Sequence, residues 1–138
     1  MIGKSYLACA LGHQACRDGL RAQYFYAPKL FRSLESAHAD GSLVRLLKSL
    51  ARLDLLIIDD LGLAPAKTKP YRDLLEVIDD RVGRAATLLT SQYPVPQWHD
   101  IINDPTGADA LLDRLVHNAY RLELDGKSMR DPKAAPAD

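Results

Sequence analysis

The run Leu55-Leu56-Ile57-Ile58, followed at once by Asp59-Asp60, constrains this chain more than any other stretch. A strand of consecutive apolar residues has no polar face to offer water. It must be covered on both sides, as strands are in a parallel sheet flanked by helices. The C-terminal ends of such strands are where open α/β sheets bind their ligands, and here two carboxylates stand at that end.

The neighbouring segments fit the same plan. "AQYFYA" (22–27) is short and aromatic-rich and reads as a strand ending before Pro28. "ATLLTS" (86–91) reads as a second buried strand and "AYRLEL" (119–124) as the last. From Ser5 to about Asp18, Leu7, Ala8, Leu11 and Ala15 recur at helical spacing, with Gly19 as a stop. "KLFRSLESAHADG" predicts a helix closed by Gly41, and "SLVRLLKSLARL" predicts another with Ser42 as its N-cap. Pro70 opens a helix on which Leu74, Leu75, Ile78 and Val82 share a face, with Gly83 past its end. A short segment surrounds Trp98, and a further helix is predicted near 108–118. Helix and strand patterns alternate throughout, which predicts an α/β fold with a mainly parallel sheet. One domain is expected over residues 1–130, followed by a disordered Pro/Ala/Asp-rich tail at 131–138.

Composition narrows the function classes. Eighteen basic and eighteen acidic residues cancel, so no global field steers the chain toward nucleic acid, and any basic surface must be local. No apolar run approaches the roughly 20 residues that span a bilayer. No basic segment leads into an apolar one at the N-terminus, so a secretory signal is not expected. Cys9 and Cys16 lie about 10 Å apart along one predicted helix, too far for a disulfide, and are expected as reduced core residues of a cytoplasmic protein. His13, His38, His99 and His117 show no metal-ligand spacing with either cysteine.

The chemistry gathers around Asp59-Asp60. Gly3-Lys4-Ser5 is the end of a phosphate-binding loop or a plain helix start. On the first reading Lys4 meets the β- and γ-phosphates, Ser5 meets Mg²⁺, and the amides at the helix N-terminus face the anion. Asp59 is placed to supply the carboxylate that a phosphate-bound Mg²⁺ needs, directly or through water. Asp60 is placed to orient or deprotonate an attacking water. Thr90-Ser91-Gln92 ends the next strand, either near the γ-phosphate or as a polar turn. Arg114 beside Asp113 is a local ion pair or an arginine offered to a neighbouring subunit's nucleotide.

Together, "GKSYLACALGHQAC", "LLIIDDLG", "TSQYPVPQWHDIINDP", "ADALLDRLVHNA" and "GKSMR" resemble the IstB-like transposition-helper ATPases. These are AAA+ P-loop proteins encoded beside the transposase of certain bacterial insertion sequences and related to bacterial helicase loaders. The resemblance runs to about Arg130, and the "DP…DRLVHNA…GKSMR" block is its most specific part. It implies Gly3, Lys4 and Ser5 as Walker A residues binding ATP, and Ser5 with Asp59 as the Mg²⁺ ligands. Asp59 and Asp60 correspond to Walker B, with Asp60 where many such ATPases have glutamate. Gln92 falls at the sensor 1 position, Arg114 at the arginine finger and Arg130 at the sensor 2 arginine. The family's loop reads GxxGxGK[ST], so on this resemblance the chain starts inside it, without the front of the loop and the first strand. The implied sheet order is 5-1-4-3-2.

"SLVRLLKSLARL" carries Leu43, Leu46, Leu47 and Leu50 on one stripe and Arg45, Lys48 and Arg52 on another. The basic stripe is a solvated face or a DNA contact. The resemblance favours the contact, because related loaders present a helical insertion to DNA here. Repeated around a homo-oligomer, these cations would track double-stranded DNA with little base specificity. The implied function is an ATP-dependent helper of the element's transposase. A replicative helicase loader, or an interaction module that binds no nucleotide, stand as the alternatives. Tyr24, Phe25 and Tyr26 are expected in the sheet core.

Overall fold

The buried strand predicted at 55–58 is the middle of the sheet. In a computed structural model, which describes residues 3–63, 68–93, 97, 109–110 and 112–114, β1 (Ala22–Tyr26), β2 (Leu55–Asp59) and β3 (Ala86–Leu89) lie in the order β1-β2-β3. All pairings are parallel, with Tyr24 opposite Ile57 and Ile57 opposite Leu88. That is the 2-3-4 stretch of the sheet order the resemblance implies. Parallel neighbours need crossover connections, and the helices of both crossovers here pack on one face of the sheet, while the helix preceding β1 covers the other.

On one face lies α1 (Lys4–Arg17), which turns Ala8, Gly12 and Ala15 inward. Gly12 permits close approach, since a Cβ there would sit 2.8 Å from the Ile57 Cδ1 atom. The opposite face of β2 packs Leu56 and Ile58 against α2 (Ala27–Asp40), α3 (Leu43–Ala51) and α4 (Thr68–Arg81). Leu30, Phe31, Leu34, Leu50, Tyr71, Leu74, Val77 and Ile78 complete this core. Phe31 and Tyr71 meet edge to face with ring centroids 4.8 Å apart. Each fully buried side chain of this size contributes about 1.5–3 kcal/mol, and nearly all of them serve the α2–α4 side.

Several local expectations are corrected. Cys9 and Cys16 are free, as expected, but both are exposed, because α1 turns only its small residues inward. Ser42 occupies the N-cap position of α3, yet its hydroxyl donates to Asp40 Oδ1 at 2.6 Å and caps nothing. The helix assigned to Pro70 begins two residues earlier, at Thr68, and Val82 is exposed while Val77 takes the inward place. Of the three aromatics in β1, Phe25 packs against the core, whereas Tyr24 is exposed and points elsewhere. The helix near 108–118 is helical at 109–110 and 112–114. The strand at 119–124, Trp98, Arg130 and the 131–138 tail fall outside the described residues.

No helix among the described residues is long and apolar enough to cross a membrane.

Candidate nucleotide site

The sequence pattern that makes β2 buried also delivers its last two residues to the C-terminal edge of the sheet. Asp59 is 1% exposed and Asp60 is 4% exposed, so neither is an ordinary surface acid. A buried carboxylate must be hydrogen-bonded. For Asp59 three hydroxyls do this: Ser5 Oγ donates to Oδ2 at 2.6 Å, Tyr24 OH donates to Oδ2 at 2.5 Å, and Thr90 Oγ1 donates to Oδ1. Burial pushes the Asp59 carboxyl upward, but the bonds from Ser5, Thr90 and Tyr24 outweigh it and hold the group below its ordinary value. Asp59 is therefore an anion at neutral pH. Burial and the Asp59 charge push the Tyr24 phenol up, which keeps it protonated and a donor.

Asp60 is a different case. Its backbone takes φ 57, the left-handed region that side chains other than glycine seldom adopt. Its N–H donates to Thr90 Oγ1 at 2.9 Å, and the next amide, of Leu61, donates to the Thr90 carbonyl at 2.9 Å. These bonds lock the bend. Its carboxyl is pushed up by burial first and by the Asp59 charge second, with a hydrogen bond from Gln92 and the Lys4 charge acting the other way. Asp60 Oδ1 is buried and finds no hydrogen-bond partner among the described residues.

The N-terminus of α1 closes the site. Gly3 sits at its N-cap with φ 74, a conformation that suits glycine alone among the residues of a tight loop. Lys4 Nζ donates to the Ser91 carbonyl at 2.5 Å, at the end of β3. The structure thus brings Gly3, Lys4, Ser5, Asp59, Asp60 and Gln92 to one corner, although they come from three separate stretches of sequence. Arg114 is not brought there. It pairs with Asp79 at 2.5 Å and Asp113 at 3.5 Å. Asp79 lies at the end of α4 whose last residue, Arg81, bonds Leu53 and Ala86 where the strands begin.

Tyr24 was missed as a site residue, whereas Thr90, expected with Ser91 and Gln92 near the γ-phosphate or in a polar turn, bonds the Asp59 carboxylate and the Asp60 amide. The strand register brings Tyr24 in: it lies opposite Ile57, and with side chains alternating along β2 its ring stands on the same face as Asp59.

No cluster of three or more His, Cys, Asp or Glu capable of holding a metal exists among the described residues. The donors at the corner are a hydroxyl and a carboxylate, a hard oxygen set that suits Mg²⁺ sharing its shell with phosphate and water. The unpartnered, buried Oδ1 of Asp60 supplies an acceptor for a ligand. The residues present therefore fit a nucleotide with its Mg²⁺.

The profile of the "IstB-like ATP binding protein" family matches residues 1–137. This chain belongs to that family. A putative insertion sequence ATP-binding protein of Sinorhizobium fredii, y4uH, is 57% identical over 129 residues, covering 94% of this chain and 52% of the relative. The insertion sequence IS1162 putative ATP-binding protein of Pseudomonas fluorescens is 55% identical over 93 residues, covering 67% of this chain and 40% of that one. This IstB-like chain thus spans about half the length of the curated relatives it matches. Among solved structures, DnaI superposes with a TM-score of 0.79 at 22% identity, covering 91% of this chain and 69% of DnaI. AMPPCP-bound DnaA from Aquifex aeolicus superposes with a TM-score of 0.69 at 21% identity, over 78% of this chain and 34% of that one. These likenesses show a shared fold, with the parallel sheet flanked by helices.

A second surface lies on α2 and α3. Arg45, Lys48 and Arg52 are exposed, and the leucine stripe Leu43, Leu46, Leu47 and Leu50 packs inward, as the spacing predicts. Arg45 lines an open groove between the two helices. Lys29, Arg32, Ser33 and Ser36 of α2 face Ser42, Arg45, Leu46 and Ser49 of α3 across it, at matching i, i+3, i+4, i+7 spacings. The α2 wall was not singled out from the sequence. Among the described residues, Lys29, Arg32, Arg45, Lys48 and Arg52 form no ion pair.

Proposed function

We propose that this chain binds and hydrolyses ATP with Mg²⁺ at the Lys4–Asp60 corner, as a helper of an insertion-sequence transposase that assembles on DNA. The observation that carries the proposal is the buried, unpartnered Asp60 Oδ1, held on a left-handed residue directly after the hydroxyl-caged Asp59. Lys4 would leave the Ser91 carbonyl for the phosphates, a stronger, charge-assisted partner. Ser5 and Asp59 would hold Mg²⁺, which when bound neutralises the charge that develops on the transferred phosphoryl group. Asp60 Oδ1 would accept a hydrogen bond from the attacking water and orient it in line. Gln92, already bonded to Asp60, would sense the γ-phosphate.

Arg114 lies away from this chain's own corner, which suits an arginine finger acting on the neighbouring copy in a homo-oligomer. Arg130 is assigned the sensor 2 role by family resemblance. The exposed cations of α2 and α3 would neutralise phosphates of double-stranded DNA without reading its sequence. The transposase as partner rests on the relatives, which are named as insertion-sequence proteins. Asp60→Asn keeps the shape and removes the charge. It is expected to leave ATP binding within about two-fold while slowing hydrolysis at least about 100-fold, given the usual size of general-base contributions. Unchanged hydrolysis by that variant would remove Asp60 from the mechanism.

A further inference from the structure

Asp59 Oδ2 receives two hydroxyls, and only one of them belongs to the phosphate loop. Ser5 Oγ comes from α1 and Tyr24 OH from β1, at 2.6 and 2.5 Å. A tyrosine on an inner face of a sheet ordinarily buries its ring. Tyr24 is 42% exposed, so little apolar burial explains its place, and its hydroxyl is directed at the carboxylate. The register explains how it gets there: Tyr24 stands opposite Ile57, and Asp59 is the next residue of β2 on that same face. A carboxylate anchored only at Oδ1, by Thr90, would still be free to turn about its Cβ–Cγ bond. A rigid phenol on a neighbouring strand removes that freedom at Oδ2, and it keeps a donor on Oδ2 when Ser5 turns its oxygen toward a cation.

We infer that Tyr24 is a positioning residue that fixes the Asp59 carboxylate for the divalent cation accompanying the nucleotide. The inference rests on the nucleotide reading of the corner and adds a residue to it. Outer residues that orient a metal ligand typically change metal affinity about 10- to 100-fold when removed. The effect should therefore appear in the metal requirement and leave the metal-free interaction with nucleotide alone.

The test uses Tyr24→Phe, which keeps the ring and deletes the hydroxyl, with Tyr26→Phe on the same strand as a control and Lys4→Ala as a reference. Binding of a fluorescent ATP analogue is titrated against Mg²⁺ and repeated in excess EDTA, and Mn²⁺ binding in the presence of ATP is followed by electron paramagnetic resonance. Tyr24→Phe is expected to raise the half-saturating concentration of both cations about ten-fold or more. Affinity in EDTA and the thermal unfolding midpoint should stay at wild-type values, and Tyr26→Phe should match wild type throughout. An unchanged cation requirement in Tyr24→Phe, with Lys4→Ala still abolishing nucleotide binding, overturns the inference and leaves the nucleotide site standing. Equal weakening with and without metal also overturns it, since that marks a structural role. If Lys4→Ala binds as wild type does, the nucleotide reading falls and this inference falls with it.

Discussion

Arg81 is the last residue of α4, is 1% exposed, and has no carboxylate hydrogen-bonded to it among the described residues. Its guanidinium instead joins the ends of three elements. It donates to the Leu50 carbonyl at 2.9 Å and the Leu53 carbonyl at 2.6 Å, to the Ala86 carbonyl, and to Thr87 Oγ1 at 2.9 Å. Burial pulls its pKa down, yet arginine stays protonated, so the buried charge is real and the acceptors must compensate it. Arg81→Met keeps the length and removes every donor. Hydrogen bonds to a charged group are worth about 1.5–3 kcal/mol each, and relief of the guanidinium's own desolvation, several kcal/mol, offsets part of their loss. A net destabilisation of about 3 kcal/mol follows. With a urea slope of about 2 kcal/mol/M, that moves the unfolding midpoint down by about 1.5 M. Arg84→Ala, which deletes exposed bonds to Asp80 and Ala51, should cost no more than about 0.5 kcal/mol. A loss below about 1 kcal/mol for Arg81→Met, or losses of equal size for both variants, would refute the reasoning.

Tyr71, 3% exposed, has its phenol pushed up by burial from 10.0 to about 12. The unfolded chain ionises first, so stability present below pH 10 is lost between about pH 10 and 12, by up to about 2.7 kcal/mol at 1.36 kcal/mol per unit. Denaturation across that range should show this extra loss in wild type and not in Tyr71→Phe. Changing Arg45, Lys48 and Arg52 together to glutamate should weaken binding to duplexes of any sequence alike. It should also flatten the salt dependence by about three units of slope, at about 0.9 per phosphate contact. An unchanged slope would move the DNA contact away from α3.

The buried strand was legible because four apolar residues in a row admit few other placements, and the acid pair came with it. Gly3-Lys4-Ser5 became informative only when a buried strand end stood ready to meet it. The α3 stripes were legible from spacing alone, since one helix fixes its own faces. Features that need two elements at once were not. Tyr24 looked like core because aromatic strand residues usually are, and only the register of β1 against β2 turns it toward Asp59. The inward placement of Arg81 and the α2 wall of the groove depend on how helices pack together, which no local pattern records. The cysteines were misplaced for a related reason. Hydrophobic spacing on α1 suggested a wide apolar face, whereas close approach at Gly12 leaves room only for small residues.

The central claim is that the Lys4–Asp60 corner binds ATP, and calorimetric titration of ATP with Mg²⁺ into the wild-type chain and into Lys4→Ala tests it most directly. The account predicts saturable one-site binding by wild type and at least about a 100-fold loss in Lys4→Ala, as expected when two or more charge-assisted phosphate bonds of about 1.5–3 kcal/mol each are deleted. Equal affinity in the two proteins, or no binding by wild type, would contradict it.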